Sequence, residues 1–295
     1  MSRTTNILVT SLAPLFWGLT YITTTELLPQ GYPLTVSLLR ALPAGLLLLI
    51  IVRRLPTGAW WWRVFVLGAL NFAVFWWLLF VSAYRLPGGV AATVGALQPL
   101  VVIMLSRLVL GSPLKRLAIG AAVAGIVGVA LLVLTPRAAL DPVGIAAGLA
   151  GAVCMAAGTV FTRYWQPPVS PLTFTAWQLT AGGILLLPAA LLLEPSLPPL
   201  TAANVAGFLY MGLINAALTY LLWFRGIGIL GAVTVGPLVL LSPVVAVIVG
   251  WIALGQSLSP LQSAGIILVL GSVWAGQRAQ RPAPSAAGAA QPKPA

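Results

Sequence analysis

Apolar residues occur in long blocks along the chain, broken by short stretches rich in charge, proline or glycine. Cutting at those breaks leaves ten blocks, 7–25, 34–52, 64–84, 88–110, 117–134, 142–165, 172–193, 204–224, 230–254 and 261–275. Their lengths approach the roughly 17–25 residues with which a helix crosses about 30 Å of hydrocarbon. The pattern predicts an all-α integral membrane protein of ten transmembrane helices. The breaks are too short to hold a separate domain. The stretch 278–295, rich in Ala, Pro and Gln, cannot form a core and reads as a disordered tail. The first block follows Arg3 and lacks a clear A-x-A cleavage site, so it reads as a span rather than a signal peptide.

Charge then orients the spans. With the N-terminus in the cytoplasm, the inner segments hold Arg3, Arg53, Arg54, Arg63, Lys115, Arg116, Arg163, Arg225, Arg278, Arg281 and Lys293. The outer loops hold only Arg85 and Arg137, together with the three acids Glu26, Asp141 and Glu194. This asymmetry predicts cytoplasmic termini and a bacterial-type inner membrane.

Composition narrows the chemistry. Hydrophobic residues make up 60% of the chain and charged residues 6%, against about 25% charged in a soluble domain. A net charge of +12 would suggest nucleic acid in a soluble protein, but here it belongs to the membrane topology, and no nucleic-acid partner is expected. There is no His, and Cys154 is the sole cysteine. No intrachain disulfide, metal site or cofactor is expected. Catalysis on lipids would need His, Asp, Glu or clustered Cys at depth, so the chain does not read as an enzyme. No P-loop is present to couple ATP.

The two halves resemble each other. Gly68, Ala69, Leu70 and Asn71 parallel Gly212, Leu213, Ile214 and Asn215; Gln98-Pro99 parallels Ser242-Pro243; Leu110-Gly111 parallels Leu254-Gly255, all at an offset of 144. Upstream the offset is 138, matching Thr35 with Thr173, Arg40 with Gln178 and Gly45 with Gly183. The division expected is a first five-helix repeat over 1–137 and a second over 138–277. Five spans per repeat make the second copy enter from the opposite side. Inverted repeats of this kind recur in secondary transporters, with the substrate site near the midplane.

Trp17-Gly18 in the first span, Arg40 in the second and Gln98-Pro99 in the fourth, with this five-plus-five plan, resemble the EamA-type branch of the drug/metabolite transporter superfamily, and within it exporters of aromatic amino acids. The resemblance covers the chain to about Gln277. It implies that spans one to four and six to nine surround a central cavity, with five and ten to one side. The fifth block carries no polar side chain and has Gly120, Ala124 and Gly128 in a ridge, suited either to packing within the chain or to a dimer contact.

Candidate site residues follow from the costs of polarity in a membrane. Trp17, Thr20, Tyr21 and Thr24 share one helix face, which either lines the cavity or packs in the core. Arg40 lies roughly 9 Å below the outer surface with no acid at its depth; it either snorkels or receives a substrate carboxylate. Pro99 removes the amide that would bond the Gly95 carbonyl, and Pro243 that of Val239. The freed carbonyls beside Gln98 and Ser242 make mid-helix polar hinges able to bind an ammonium, or mere kinks. Asn71 and Asn215 are expected to face inward, touching substrate or bridging helices, and Gln178, the repeat partner of Arg40, is a further candidate near the other membrane face. Trp76, Trp77, Tyr84, Trp177, Tyr220 and Trp223 are the available aromatic walls.

The function expected is a secondary transporter exporting aromatic or other neutral amino acids and related small metabolites by alternating access. The alternative is an antiporter or exporter of a sugar phosphate, nucleotide-sugar or drug-like compound. With no acid or His at depth, no dedicated proton-coupling carboxylate is expected. Its partners would be the small-molecule substrate and the bilayer, with the protein a monomer or a weak homodimer.

Overall fold

The computed structural model describes residues 2–86, 94–133, 141–253 and 259–280, with the side chains of Tyr21, Thr25, Ala83 and Tyr84 outside the description. Among the described residues every regular element is helical. The first rod is α1 (Arg3–Gly18) and α2 (Thr20–Leu27), broken at Leu19. α3 (Pro33–Val52) follows, then a rod of α4 (Trp60–Gly68), a π-helical segment Ala69–Ala73 and α5 (Val74–Arg85). Next come α6 (Gln98–Leu110), α7 (Arg116–Val133), α8 (Pro142–Trp165) and α9 (Pro171–Leu193). A long rod joins α10 (Ala202–Leu209), a second π-helical segment Tyr210–Leu218 and α11 (Thr219–Leu230). The last rods are α12 (Ala232–Val235), a 3-10 segment Gly236–Leu240 and α13 (Leu241–Ala253), then α14 (Pro260–Ala279).

Seven of these rods are long and apolar enough to cross a membrane, and α6 and the apolar part of α7 are shorter. The rods overlap the apolar blocks, the first and third starting four residues earlier than expected, at Arg3 and Trp60, and three further points bear on the expected scheme. The eighth runs over Ala202–Leu230, beyond the expected 204–224. The described part of the fourth begins at Val94, residues 87–93 lying outside the description, and turns at 96–97 before α6. α14 continues to Ala279, so Arg278 and Ala279, expected in the tail, extend the final helical turn; the rest of the expected tail, 281–295, lies outside the described residues.

Helix starts follow local chemistry. Ser2, Asp141, Ser170, Thr201 and Ser259 each accept a first-turn amide through the side chain, meeting donors that the helix leaves free. Pro leads α3, α8, α9 and α14, where its missing amide costs nothing.

Small residues decide which helices meet. α3 and α9 cross in opposite directions: a Cβ on Gly45 would collide with Thr180, and one on Gly183 with Leu42. α7 and α14 form a second close pair. A Cβ on Gly128 would lie 2.8 Å from Val269, and one on Gly265 2.8 Å from the Gly128 carbonyl. Backbones this close gain dispersion contacts where no hydrophobic drive exists in lipid. Gly120, the first residue of the expected ridge, has nothing within 4 Å of such a Cβ, so the ridge packs inward only at its Gly128 end. The apolar exterior is a lipid-type surface, with Leu192 82% and Ile267 72% exposed.

The helix ends gather into two rims. At one, Arg3 donates to the Gln280 carbonyl, Lys115 to Ala279, and Arg163 to Gly228, each cation meeting the negative end of a helix. At the other, Glu194 accepts from the Leu34 and Thr35 amides, Asn204 holds the Leu27 carbonyl, and Arg85 lies 3.7 Å from Asp141. The expected asymmetry of charge thus appears as a basic rim and an acidic rim.

Candidate functional site

Between the rims, the most polar group sits on α3. Arg40 is 6% exposed and lies seven residues past Pro33, about 10 Å along the helix. Its Nη2 donates to Oδ1 of Asn215 at 2.5 Å and to the Asn215 carbonyl at 3.4 Å. The guanidinium carbon stands 4.2 Å from the centroid of the Trp76 ring. Among the described residues no carboxylate pairs with it, and its Nε has no partner. Among the described residues the charge is met by an amide oxygen, a carbonyl and an aromatic face.

Asn215 is the hub of the surrounding bonds. It lies within the π-helical segment Tyr210–Leu218, a geometry that re-aims side chains and carbonyls and recurs at functional sites. Its Nδ2 donates to the Phe16 carbonyl at 2.9 Å and to Thr20 Oγ1 at 3.2 Å. The Phe16 carbonyl also takes the Leu19 amide where the first rod breaks. Thr219 donates to the Asn215 carbonyl at 2.6 Å and accepts from Trp17 Nε1 at 2.8 Å. Trp17 packs on Tyr220 and Trp223, with ring centroids 5.0 and 4.9 Å apart. Gly18 lets the same rod close on α13, since a Cβ there would lie 2.7 Å from the Ser242 carbonyl.

A second polar pair sits nearer the basic rim. Asn71, in the π-helical segment Ala69–Ala73, donates through Nδ2 to Gln178 Oε1 at 2.7 Å. Both are buried, at 1% and 0% exposure. Between the two pairs, Phe72, Trp76, Tyr220 and Phe224 form one aromatic cluster.

The structure therefore brings together Arg40, Asn215, Trp17 and Tyr220, and separately Asn71 and Gln178. The other expected site residues fall elsewhere. Trp177 does not join them: its Nε1 donates to the Arg54 carbonyl near the basic rim. The side chain of Tyr21 lies outside the described residues. Gln98 and Pro99 open α6 after helical Val94 and Gly95 and a turn at 96–97, so proline stands at a break in the span, where a first turn restarts; residues 87–93 before it lie outside the description. Gln98 is buried with Nε2 unpartnered among the described residues. Ser242-Pro243 falls in the first turn of α13, midway along the helical rod Ala232–Ala253, where the Leu241 amide turns back to the Leu238 and Val239 carbonyls. The Val239 carbonyl is not left free by Pro243 as expected. Nor do the expected lining residues face an open cavity: Arg40, Asn71, Gln98, Gln178, Trp177, Asn215 and Tyr220 are all buried among side chains.

Two functional features lay outside the sequence argument. The π-helical segments look like ordinary apolar helix, although Asn71 and Asn215 at equivalent places mark both. The Thr219 bridge between Trp17 and Asn215 is signalled only by its i,i+4 spacing from Asn215.

The model of the EamA-like transporter family matches residues 4–134 and 142–275. The chain belongs to the EamA-like transporter family. Among similar proteins, Protein PecM of Dickeya dadantii is 45% identical over 263 residues, 88% of each chain. A probable amino-acid metabolite efflux pump of Salmonella typhimurium is 26% identical, covering 88% of this chain and 90% of its own. An uncharacterized inner membrane transporter of Escherichia coli, YedA, is 28% identical over 84% of this chain and 82% of its own. A protein crystal structure superposes with a TM-score of 0.81 over 94% of this chain and 98% of that one, at 21% identity, a likeness of fold alone.

Proposed function

We propose that this EamA-family transporter exports neutral amino acids, aromatic ones favoured, and related small zwitterions across the inner membrane by alternating access. In this reading two five-helix repeats, 1–137 and 138–277, lie upside-down to each other with cytoplasmic termini. Support comes from the family match falling in two parts, 4–134 and 142–275, and from repeat-equivalent positions meeting across α3 and α9. Leu42 and Thr180 are related by the offset of 138, as are Gly45 and Gly183, and each glycine packs on the other's partner. The name of the Salmonella typhimurium relative, a probable amino-acid metabolite efflux pump, supports the substrate class.

The observation that carries the proposal is Arg40. A buried guanidinium without a carboxylate is costly in a membrane and suits a carboxylate arriving as cargo. The substrate carboxylate takes Arg40, the ammonium takes the acceptors around Asn215 and Gln98, and the side chain lies among Trp17, Trp76 and Tyr220. A phosphorylated sugar, with more negative charge, would call for further cations than Arg40. Counterflow of a labelled amino acid panel in proteoliposomes tests this. Saturable flux of aromatic or other neutral amino acids is expected, collapsing in Arg40→Gln and weakened in Arg40→Lys, which lacks the planar fork. Amino acid flux indifferent to both substitutions would overturn it.

A further inference from the structure

The two buried polar pairs are built from the same positions. Arg40 and Gln178 are related by the offset of 138, and Asn71 and Asn215 by 144. The pairing is crosswise, Arg40 with Asn215 and Gln178 with Asn71, so each bond joins one half of the chain to the other. Each Asn belongs to a π-helical segment. Arg40 lies seven residues into α3, counted from the acidic rim, and Gln178 seven residues into α9, counted from the basic rim. One clasp therefore stands toward each rim. They differ in charge: only the clasp toward the acidic rim contains a cation.

We propose that Asn215 and Asn71 are positioning residues of two gates, the Arg40–Asn215 clasp closing the path toward the acidic rim and the Gln178–Asn71 clasp closing it toward the basic rim. The charge difference sets the order of opening. The amide–amide clasp opens by thermal motion and admits cargo from the cytoplasm. The Arg40 clasp opens when a carboxylate, a stronger acceptor for guanidinium than an amide oxygen, takes Arg40 from Asn215 Oδ1. The exit gate then opens only with cargo aboard. This last step rests on the Arg40 reading above; the existence of two gates does not.

Ser37 and Thr175, also related by the offset of 138, report on each side. Both are buried, at 1% and 0% exposure, and each lies one turn rimward of its clasp, bonded to the carbonyl of a leading proline. In a Cys154→Ser background, Ser37→Cys or Thr175→Cys is alkylated by an impermeant maleimide in right-side-out and inside-out vesicles. Asn215→Ala should speed labelling severalfold at position 37 and slow it at 175; Asn71→Ala should do the reverse. Asn215→Asp, which keeps size and gives Arg40 a charged partner, should slow labelling at position 37, and covers the case in which Asn215→Ala does not fold. L-Phenylalanine should accelerate labelling at 37 in the parent and not in Asn215→Asp. Rates that rise together at both positions in each variant, or that do not move, would mean merely structural bonds and overturn the gates. Reciprocal shifts without any response to L-phenylalanine would leave the gates standing and remove the substrate reading instead.

Discussion

α3 depends on a residue far away in sequence for its start. Its N-cap, Tyr32, makes no side-chain cap bond, and the Leu34 and Thr35 amides each donate instead to one carboxylate oxygen of Glu194 at 2.7 Å. Glu194 follows α9, so the carboxylate ties the ends of the two helices that cross at Gly45 and Gly183. A hydrogen bond to a charged group contributes about 1.5–3 kcal/mol, and an anion at a helix N-terminus adds about 0.3–1 kcal/mol. Glu194 is only half-buried, which favours the lower end of both ranges. Glu194→Gln keeps one acceptor and loses the charge, so it should cost about 2 kcal/mol; Glu194→Ala loses both acceptors and should cost about 3 kcal/mol. Detergent-solubilised protein unfolded by increasing SDS fraction measures this. A local cap then offers an internal control. Tyr32→Asp places an acceptor in the normal N-cap position, worth about 1 kcal/mol. It should restore that much to Glu194→Ala and add little to the parent, whose amides are already bonded. A Glu194→Ala cost below about 0.5 kcal/mol, the range of an ordinary surface change, would refute the reasoning. So would equal stabilisation of parent and variant by Tyr32→Asp.

Two further outcomes follow from packing and charge. Gly18→Ala and Gly265→Ala place a Cβ 2.7 and 2.8 Å from backbone carbonyls and should each cost about 1–3 kcal/mol, whereas Gly120→Ala and Gly271→Ala, with nothing within 4 Å, should be neutral or raise the melting temperature; equal effects from all four would contradict the close helix contacts. The chain has no His and only three acids, Glu26 exposed and Asp141 and Glu194 at the acidic rim, so nigericin collapse of a pH gradient should leave amino acid counterflow unchanged. A flux that follows the gradient would expose a proton site that these residues do not account for.

The helical class and the placement of most rods were legible because an apolar run of span length has few other uses in a chain with 6% charged residues. Arg40, Asn71 and Asn215 were legible for the converse reason: polar groups inside such runs are costly and must find partners. What they would bond was not legible. Arg40 could have met a headgroup or a carbonyl, and its actual partner depends on a π-helical turn that adds one residue to the rod without altering its hydropathy. Gln98-Pro99 and Ser242-Pro243 stand where α6 and α13 restart inside longer helical runs, and those restarts were not legible for a related reason. Apolar blocks do not reveal where backbone bonding restarts, and proline is as compatible with a first turn as with a kink. Trp177 was expected as an aromatic wall, but neighbours on a helix point about 100° apart, so Gln178 faces Asn71 while Trp177 reaches the Arg54 carbonyl.

The same π-helical turns explain why the polar core is compatible with a membrane at all. An asparagine in a regular apolar helix could satisfy its amide locally or leave it exposed to lipid. Asn215 instead spreads its bonds over α1, α2 and α3: its amide donates to Phe16 and Thr20, its oxygen accepts from Arg40, and its carbonyl takes Thr219. Every one of those partners lies on a different turn or rod, so movement of any one breaks a bond that lipid cannot replace. Asn71 is less encumbered, holding Gln178 while its own Oδ1 stays unpartnered among the described residues. The region toward the acidic rim should thus resist motion more than the region toward the basic rim, and a rigid end of this kind is what the proposed export mechanism requires of the side that stays shut until a carboxylate reaches Arg40.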